Sequence, residues 1–298
     1  MRFILEVCRS LYGYAQRMRH LPPYMPNPFG ELRLDRMRNT DAKRIFVFVA
    51  ETEQSSLNAA PGWDFPIHAT LSKTGMRPGE LAHLLVEEVD LKCGWLHVRN
   101  KPELGWSIKT GCERSIPLIP ELCNLLGLVT AGRVAGSVFV RPEYRWRESP
   151  VALLNRAGLE RLLRNRIADC ERNVAGGLGR TEKLRVARTV WRDAGAIKND
   201  MIRRSFIRVA KKAGTPDATC PKSWRHSFTT LLQDANVDPL IRQITMGHKP
   251  PGATAALGMT SVYTHTRAAT QHHEICRAMR LWPDSLQLMR DWVERHHV

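Results

Sequence analysis

The sequence predicts a mainly α fold carrying one small antiparallel β-sheet, an α+β architecture, on three observations. Apolar residues recur at helical spacing along most of the 298 residues, as in Phe3, Val7, Leu11, Tyr14 and Met18. Between residues 89 and 118 that period gives way to alternation, and Gly and Pro punctuate the change. A composition of 43% hydrophobic and 25% charged residues is that of a chain able to bury a core.

Residues 1–20 read as one amphipathic helix that stops at Leu21-Pro22-Pro23. The proline-rich stretch from Tyr24 to Arg38 reads as an extended linker, and residues 41–51 as the opening of a second helix. Past Ala60-Pro61-Gly62, residues 65–73 read as helical, break at Thr74-Gly75 and restart at Pro78, where the missing N–H of proline costs least. Val89-Asp90-Leu91, Trp95-Leu96-His97-Val98 and Arg114-Ser115-Ile116-Pro117-Leu118 alternate or are β-branched, which predicts three antiparallel strands. Helices are then expected over residues 119–127, 155–172, 200–213, 223–235, 238–246 and 284–295, the last with an apolar tail suited to packing on its own or a neighbouring subunit. Residues 173–200, polar and weakly periodic, read in part as an insertion.

The chain has 45 Lys+Arg against 29 Asp+Glu, a net charge of +16, and 34 of the basic residues are arginine. Residues 131–225 hold 22 basic and 9 acidic side chains, so +13 of the +16 lies in about a third of the chain. A basic face toward an anionic partner follows, and the planar arginine fork favours phosphate oxygens.

Other classes find no support. The seven cysteines are scattered and never in a C-x-x-C pair, which argues against a zinc site or a disulfide framework and for a reducing compartment. No apolar run approaches the ~20 residues of a membrane span, and Arg2, Glu6 and Arg9 interrupt the start unlike a signal peptide. Neither G-x-x-x-x-G-K-[ST] nor G-x-G-x-x-G occurs, so no nucleotide or dinucleotide cofactor is expected. The expected location is the cytoplasm or the nucleoid.

Two arginine-centred segments stand out: Thr74-Gly75-Met76-Arg77-Pro78-Gly79-Glu80-Leu81 and Lys222-Ser223-Trp224-Arg225-His226-Ser227-Phe228. Each puts one arginine at a helix start among apolar residues, where its guanidinium is held in place. Two such arginines can clamp one phosphate, although Glu80, three residues on, can also pair with Arg77. Further along come Ile108-Lys109-Thr110-Gly111 before Arg114, then Met246-Gly247-His248, then Thr260-Ser261-Val262-Tyr263-Thr264-His265.

This ordered set resembles the tyrosine recombinase (phage integrase) family, whose boxes read approximately T-G-x-R-x-x-E-L, K-T-x-x-x-R-x-I-P-L, H-x-x-R-H-x-[FA], L-G-H and T-x-x-Y-x-H. The resemblance implies a recombinase-like catalytic domain and a site-specific recombinase or integrase that cleaves and rejoins double-stranded DNA through a 3′-phosphotyrosine. In it Tyr263 would be the nucleophile, Arg77 and Arg225 would bracket the scissile phosphate, His248 would hydrogen-bond it, and a lysine would protonate the leaving 5′ oxygen. That lysine is Lys109 by the K-T match, with Lys101 as the alternative. No metal or ATP is implied, because the phosphotyrosine conserves the bond energy. The implied assembly is a homotetramer on DNA, with accessory DNA-bending proteins as further partners.

The chain departs from the pattern in three places. Lys222 stands where the family has His, and lysine is a poor general base at neutral pH unless its pKa falls. The 15 residues from His248 to Tyr263 exceed the usual spacing, with Lys249-Pro250-Pro251-Gly252 as the loop excess. Residues 1–55 are expected to be the remnant of a helical core-binding domain plus linker, shortened at the N-terminus, and residues 56–298 the catalytic domain. A decayed, non-catalytic DNA-binding fragment and a type IB topoisomerase-like relaxing enzyme are the alternatives.

Overall fold

The computed structural model describes residues 2–22, 24–32, 45–144, 149–172, 177–247 and 268–296. They form two compact units, Met1–Arg44 and Ile45–Val298. The division falls upstream of the boundary expected near residue 55.

In the first unit, helix α1 (Arg2–Arg17) carries the anticipated stripe, but Phe3, Leu11 and Met18 stay exposed. The chain returns along it because the Arg9 guanidinium donates to the carbonyls of Phe29 (2.6 Å) and Leu32 (2.6 Å), and Tyr12 packs edge-on against Phe29.

The second unit is built around α3 (Phe65–Thr74), every residue of which is buried. Before it, residues 45–49 belong to no helix, Val49 is extended and the helix α2 spans Ala50–Ala59, so the helix expected to open over 41–51 starts later, residues 41–44 lying outside the described residues. The reason lies in Ile45-Phe46-Val47-Phe48-Val49, whose period of two buries Phe48 and exposes Val47 and Val49. Phe48 stacks on Trp224 (4.0 Å), and its N–H donates to Ser227 Oγ (2.6 Å).

The short α4 (Pro78–Ala82) leads into a sheet of β1 (Val89–Asp90), β2 (Trp95–Val98) and β3 (Arg114–Pro117), antiparallel in that order, with Leu96 opposite Ile116 and His97 opposite Ser115. Then come α5 (Pro120–Thr130), α6 (Arg156–Glu171), α7 (Arg180–Asp193), α8 (Asn199–Lys212), α9 (Lys222–Asp234), α10 (Pro239–Met246), α11 (Ala268–Met279) and α12 (Pro283–His296). Helix α9 packs on α3, α11 on α9 and β3, and α12 against α2 and α5 of the same chain.

Helices α7 and α11 were not expected. The apolar positions of α7, Leu184, Ala187, Val190 and Trp191, are diluted by Arg and Lys, yet Ala187, Val190 and Trp191 are buried. They join Leu85, Leu104, Leu159 and Leu163 in a second apolar cluster apart from the main core. In α11 the buried positions include Gln271 and Ala278, which carry little hydrophobic signal. No helix among the described residues is long and apolar enough to cross a membrane.

Candidate active site

Helix ends bring the two marked arginines together. Helix α3 stops because Gly75 takes φ +60, and a β-carbon there would lie 2.5 Å from Cδ1 of Phe228, so both backbone and packing require glycine. Two residues on, Arg77 is extended, as a residue before proline prefers, and caps α4. Its N–H donates to Glu80 Oε2 and its Nη1 to Glu80 Oε1, both at 2.8 Å, which leaves the guanidinium side chain about a fifth exposed.

Arg225 lies in the first turn of α9 between buried Trp224 and Phe228. Its Nη1 donates to the Gly75 carbonyl (2.7 Å) and its Nη2 to the Met246 carbonyl (2.5 Å). Those carbonyls close α3 and α10, where backbone oxygens lack helical partners and carry partial negative charge. Burial, and then the charges of Arg77 and Arg114, push the Arg225 guanidinium down to about 9. Arg77 and Arg225, almost 150 residues apart in sequence, thus act on each other electrostatically.

A third arginine completes the cluster. Arg114, buried on β3, grips Glu80 with both terminal nitrogens (3.1 and 2.6 Å) and donates from Nε to the Thr245 carbonyl (3.0 Å). Burial pushes the Glu80 carboxyl up, but its bonds to Arg114 and Arg77 outweigh this and hold it below the ordinary carboxylate range. Gly247, at φ +61, ends α10 where a β-carbon would come within 2.8 Å of Arg114 Cδ. Three guanidinium groups against one carboxylate leave this cluster at +2, suited to a phosphate.

The two lysines between β2 and β3 have opposite surroundings. Lys101 is buried, pairs with Glu88 at 2.7 Å and lies over the Trp106 ring, and burial lowers its pKa. Lys109 is exposed on the turn Ile108–Gly111, and the neighbouring Thr110 hydroxyl donates to the Gly247 carbonyl (3.3 Å). That contact brings the Lys109 turn to the end of α10, one residue before His248. Lys222 is exposed at the start of α9, and burial followed by the charges of Arg225 and Lys222 lowers the pKa of His226. His248, Tyr263 and the expected loop excess at 249–252 lie outside the described residues.

Sequence reasoning had offered Glu80 as a partner for Arg77 but had not given Arg114 a role. Its signal was a charged residue at a position that alternation in Arg114-Ser115-Ile116 assigns to the buried face. Among the described residues no group of three or more His, Cys, Asp or Glu is placed to hold a metal ion.

No protein-family model and no curated protein matches the chain. Among solved structures it is similar to XerA recombinase, at 19% identity and a TM-score of 0.42, over 77% of this chain and 64% of that one. It is also similar to the Tn1549 transposon integrase in complex with transposon right end DNA, at 17% identity and a TM-score of 0.46, over 92% of this chain and 76% of that one. The chain therefore spans less than two thirds of the length of the XerA recombinase chain.

Proposed function

We propose that the chain is a site-specific DNA recombinase or integrase of the tyrosine class. Tyr263 attacks a phosphodiester phosphorus as its phenol passes its proton to solvent, the P–O5′ bond breaks, and the 5′ oxygen takes a proton from Lys109. The 3′ phosphate stays on Tyr263 until a 5′ hydroxyl, returning its proton to Lys109, attacks it and reseals the strand, and the released phenol regains its proton from solvent. Arg77 and Arg225 neutralise the charge that develops on the phosphoryl oxygens, and His248 donates to one of them. Lys222 takes the place usually held by histidine and serves as a phosphate contact. Assembly of four copies on DNA belongs to the same proposal.

The observation that carries this reading is the meeting of Arg225 and the Lys109 turn at the end of α10, directly before His248 in sequence, with Arg77 near enough to act on the charge of Arg225. Lys109 is preferred to Lys101 as the acid because Lys101 is committed to Glu88.

A nicked suicide duplex tests it. The intact protein is expected to be trapped as a covalent complex, in EDTA as without it, and Tyr263→Phe to form none. A folded wild-type protein that binds duplex and forms no adduct overturns the enzyme reading in favour of a non-catalytic DNA-binding protein. Relaxation of plasmids lacking any partner site would assign it to the topoisomerase-like class. Lys109→Ala is expected to slow cleavage by about 10²–10⁴-fold, and a 5′-phosphorothiolate linkage, whose sulfur leaves without protonation, to restore it.

A further inference from the structure

Helices α6 and α7 form a hairpin with its own apolar cluster, seated on the connection between β2 and β3. Trp191 donates from Nε1 to the Leu104 carbonyl (3.0 Å), and Ala187 packs so close to Gly105 that a β-carbon there would lie 2.9 Å away. Arg156, at the head of α6, pairs with Glu103 on the same connection. The hairpin therefore stands on the segment that continues to Lys109.

Its acidic side chains are all engaged. Glu160 pairs with Arg156, Asp169 with Arg172, Glu171 with Lys183, and Asp193 with Arg166 and Arg192, while Glu182 caps Gly179. Arg161, Arg164, Arg180, Arg185 and Arg188 remain, all exposed and without a hydrogen bond or ion pair among the described residues. Arg161 and Arg164 are one turn apart on α6, as are Arg185 and Arg188 on α7, and the span from Arg180 to Arg188 covers ~12 Å of helix. Duplex DNA presents about seven phosphate charges over that distance, enough to occupy all five arginines.

We propose that this hairpin is a second nucleic-acid surface, separate from the arginine cluster of the candidate active site, and that it grips the phosphate backbone of duplex DNA. A duplex fits better than a single strand because the only aromatic residue of the two helices, Trp191, is buried, leaving no platform on which unpaired bases could stack. The proposal rests on the reading of DNA as substrate.

The test is the salt dependence of binding to a ~30-base-pair duplex between about 50 and 200 mM salt, with a single strand of equal length alongside. The variant carries Arg161→Gln, Arg164→Gln, Arg180→Gln, Arg185→Gln and Arg188→Gln in the full chain. Every phosphate that one of these arginines neutralises contributes about 0.9 to the slope of log K against log salt, so a fall of roughly 3 to 4.5 supports the proposal. Two smaller variants, Arg161/Arg164 and Arg185/Arg188, are expected to lower the slope by roughly 2 each, and they decide the matter if the fivefold variant does not fold. An unchanged slope in folded variants, while wild type binds steeply, overturns the hairpin proposal and leaves strand transfer intact. Equal losses for single strand and duplex overturn the choice of duplex. Failure of the Tyr263 adduct would count against the strand-transfer reading alone.

Discussion

Arg225 and Glu80 show how single charged residues are kept inside the second unit. Arg225 has two main-chain carbonyls to answer its charge, whereas Glu80 has two guanidinium groups. Removing one partner of such a buried pair leaves the other uncompensated, so Glu80→Gln is expected to cost about 3 kcal/mol of stability, measured by denaturant unfolding at neutral pH. Because its pKa is depressed in the folded protein, the contribution of Glu80 is complete above 4.5 and is lost as pH falls through the lower folded value. The gap between wild type and Glu80→Gln should therefore narrow on acidification below 4.5, and a gap independent of pH would contradict the clamp. His68 behaves similarly for a different reason. It accepts from Trp224 Nε1 at Nδ1 (3.3 Å) and meets Ser205 Oγ at Nε2 (2.8 Å), while burial, then the charge of Arg208, lower its pKa from 6.5 to about 3. The unfolded chain takes up the proton first, so stability is lost as pH drops from 6.5 towards 3, by roughly 3 kcal/mol at pH ~4. Unfolding midpoints of wild type and His68→Asn across that range measure it: the variant should show the smaller decline.

At the scale of elements, the candidate site is a meeting of helix ends, and glycine decides where those ends fall. Gly75→Ala must hold alanine at φ +60 and push its methyl into Phe228, whereas Gly214→Ala meets the same backbone demand at φ +74 in open space. Calorimetry should find the first destabilised by about 3 kcal/mol and the second by about 1. Equal effects would mean that the ring of Phe228 does not restrict the turn. This part of the site was legible beforehand: Thr74-Gly75 marked a stop, Pro78 a restart, and Arg77 fell between them. The sheet was legible too, because buried Leu96 and Val98 flank the half-buried His97, and buried Arg114 and Ile116 flank the half-buried Ser115. Two helices were not. Helix α7 hides its buried positions among arginines that face solvent, and α11 buries Gln271, which reaches the Ser115 carbonyl and the Thr245 hydroxyl. The non-helical run ending at Val49 was misread because a run of Phe and Val has no polar residue to expose its period of two.

For the whole molecule, the second unit carries both the apolar clusters and most of the net charge. Both apolar clusters lie within Ile45–Val298, and no described residue of the first unit belongs to either. A chain beginning at Ile45 is expected to unfold cooperatively with a thermal midpoint close to that of the full protein. A non-cooperative transition would show that the second unit depends on the first. The +16 net charge pointed from the start to an anionic partner. It could not show which arginines neutralise acids within the chain and which remain free, since Arg114 and Arg161 look alike until their neighbours are known.

His83 lies with its ring stacked on Trp106 (4.9 Å) and edge-on to Trp191 (4.8 Å), and burial brings its pKa down to about 4. A neutral imidazole quenches indole emission far less than an imidazolium, so these two tryptophans form a native optical reporter. Their fluorescence, read in single-tryptophan backgrounds near neutral pH, would register any shift of the arginine hairpin against α4 without an added dye.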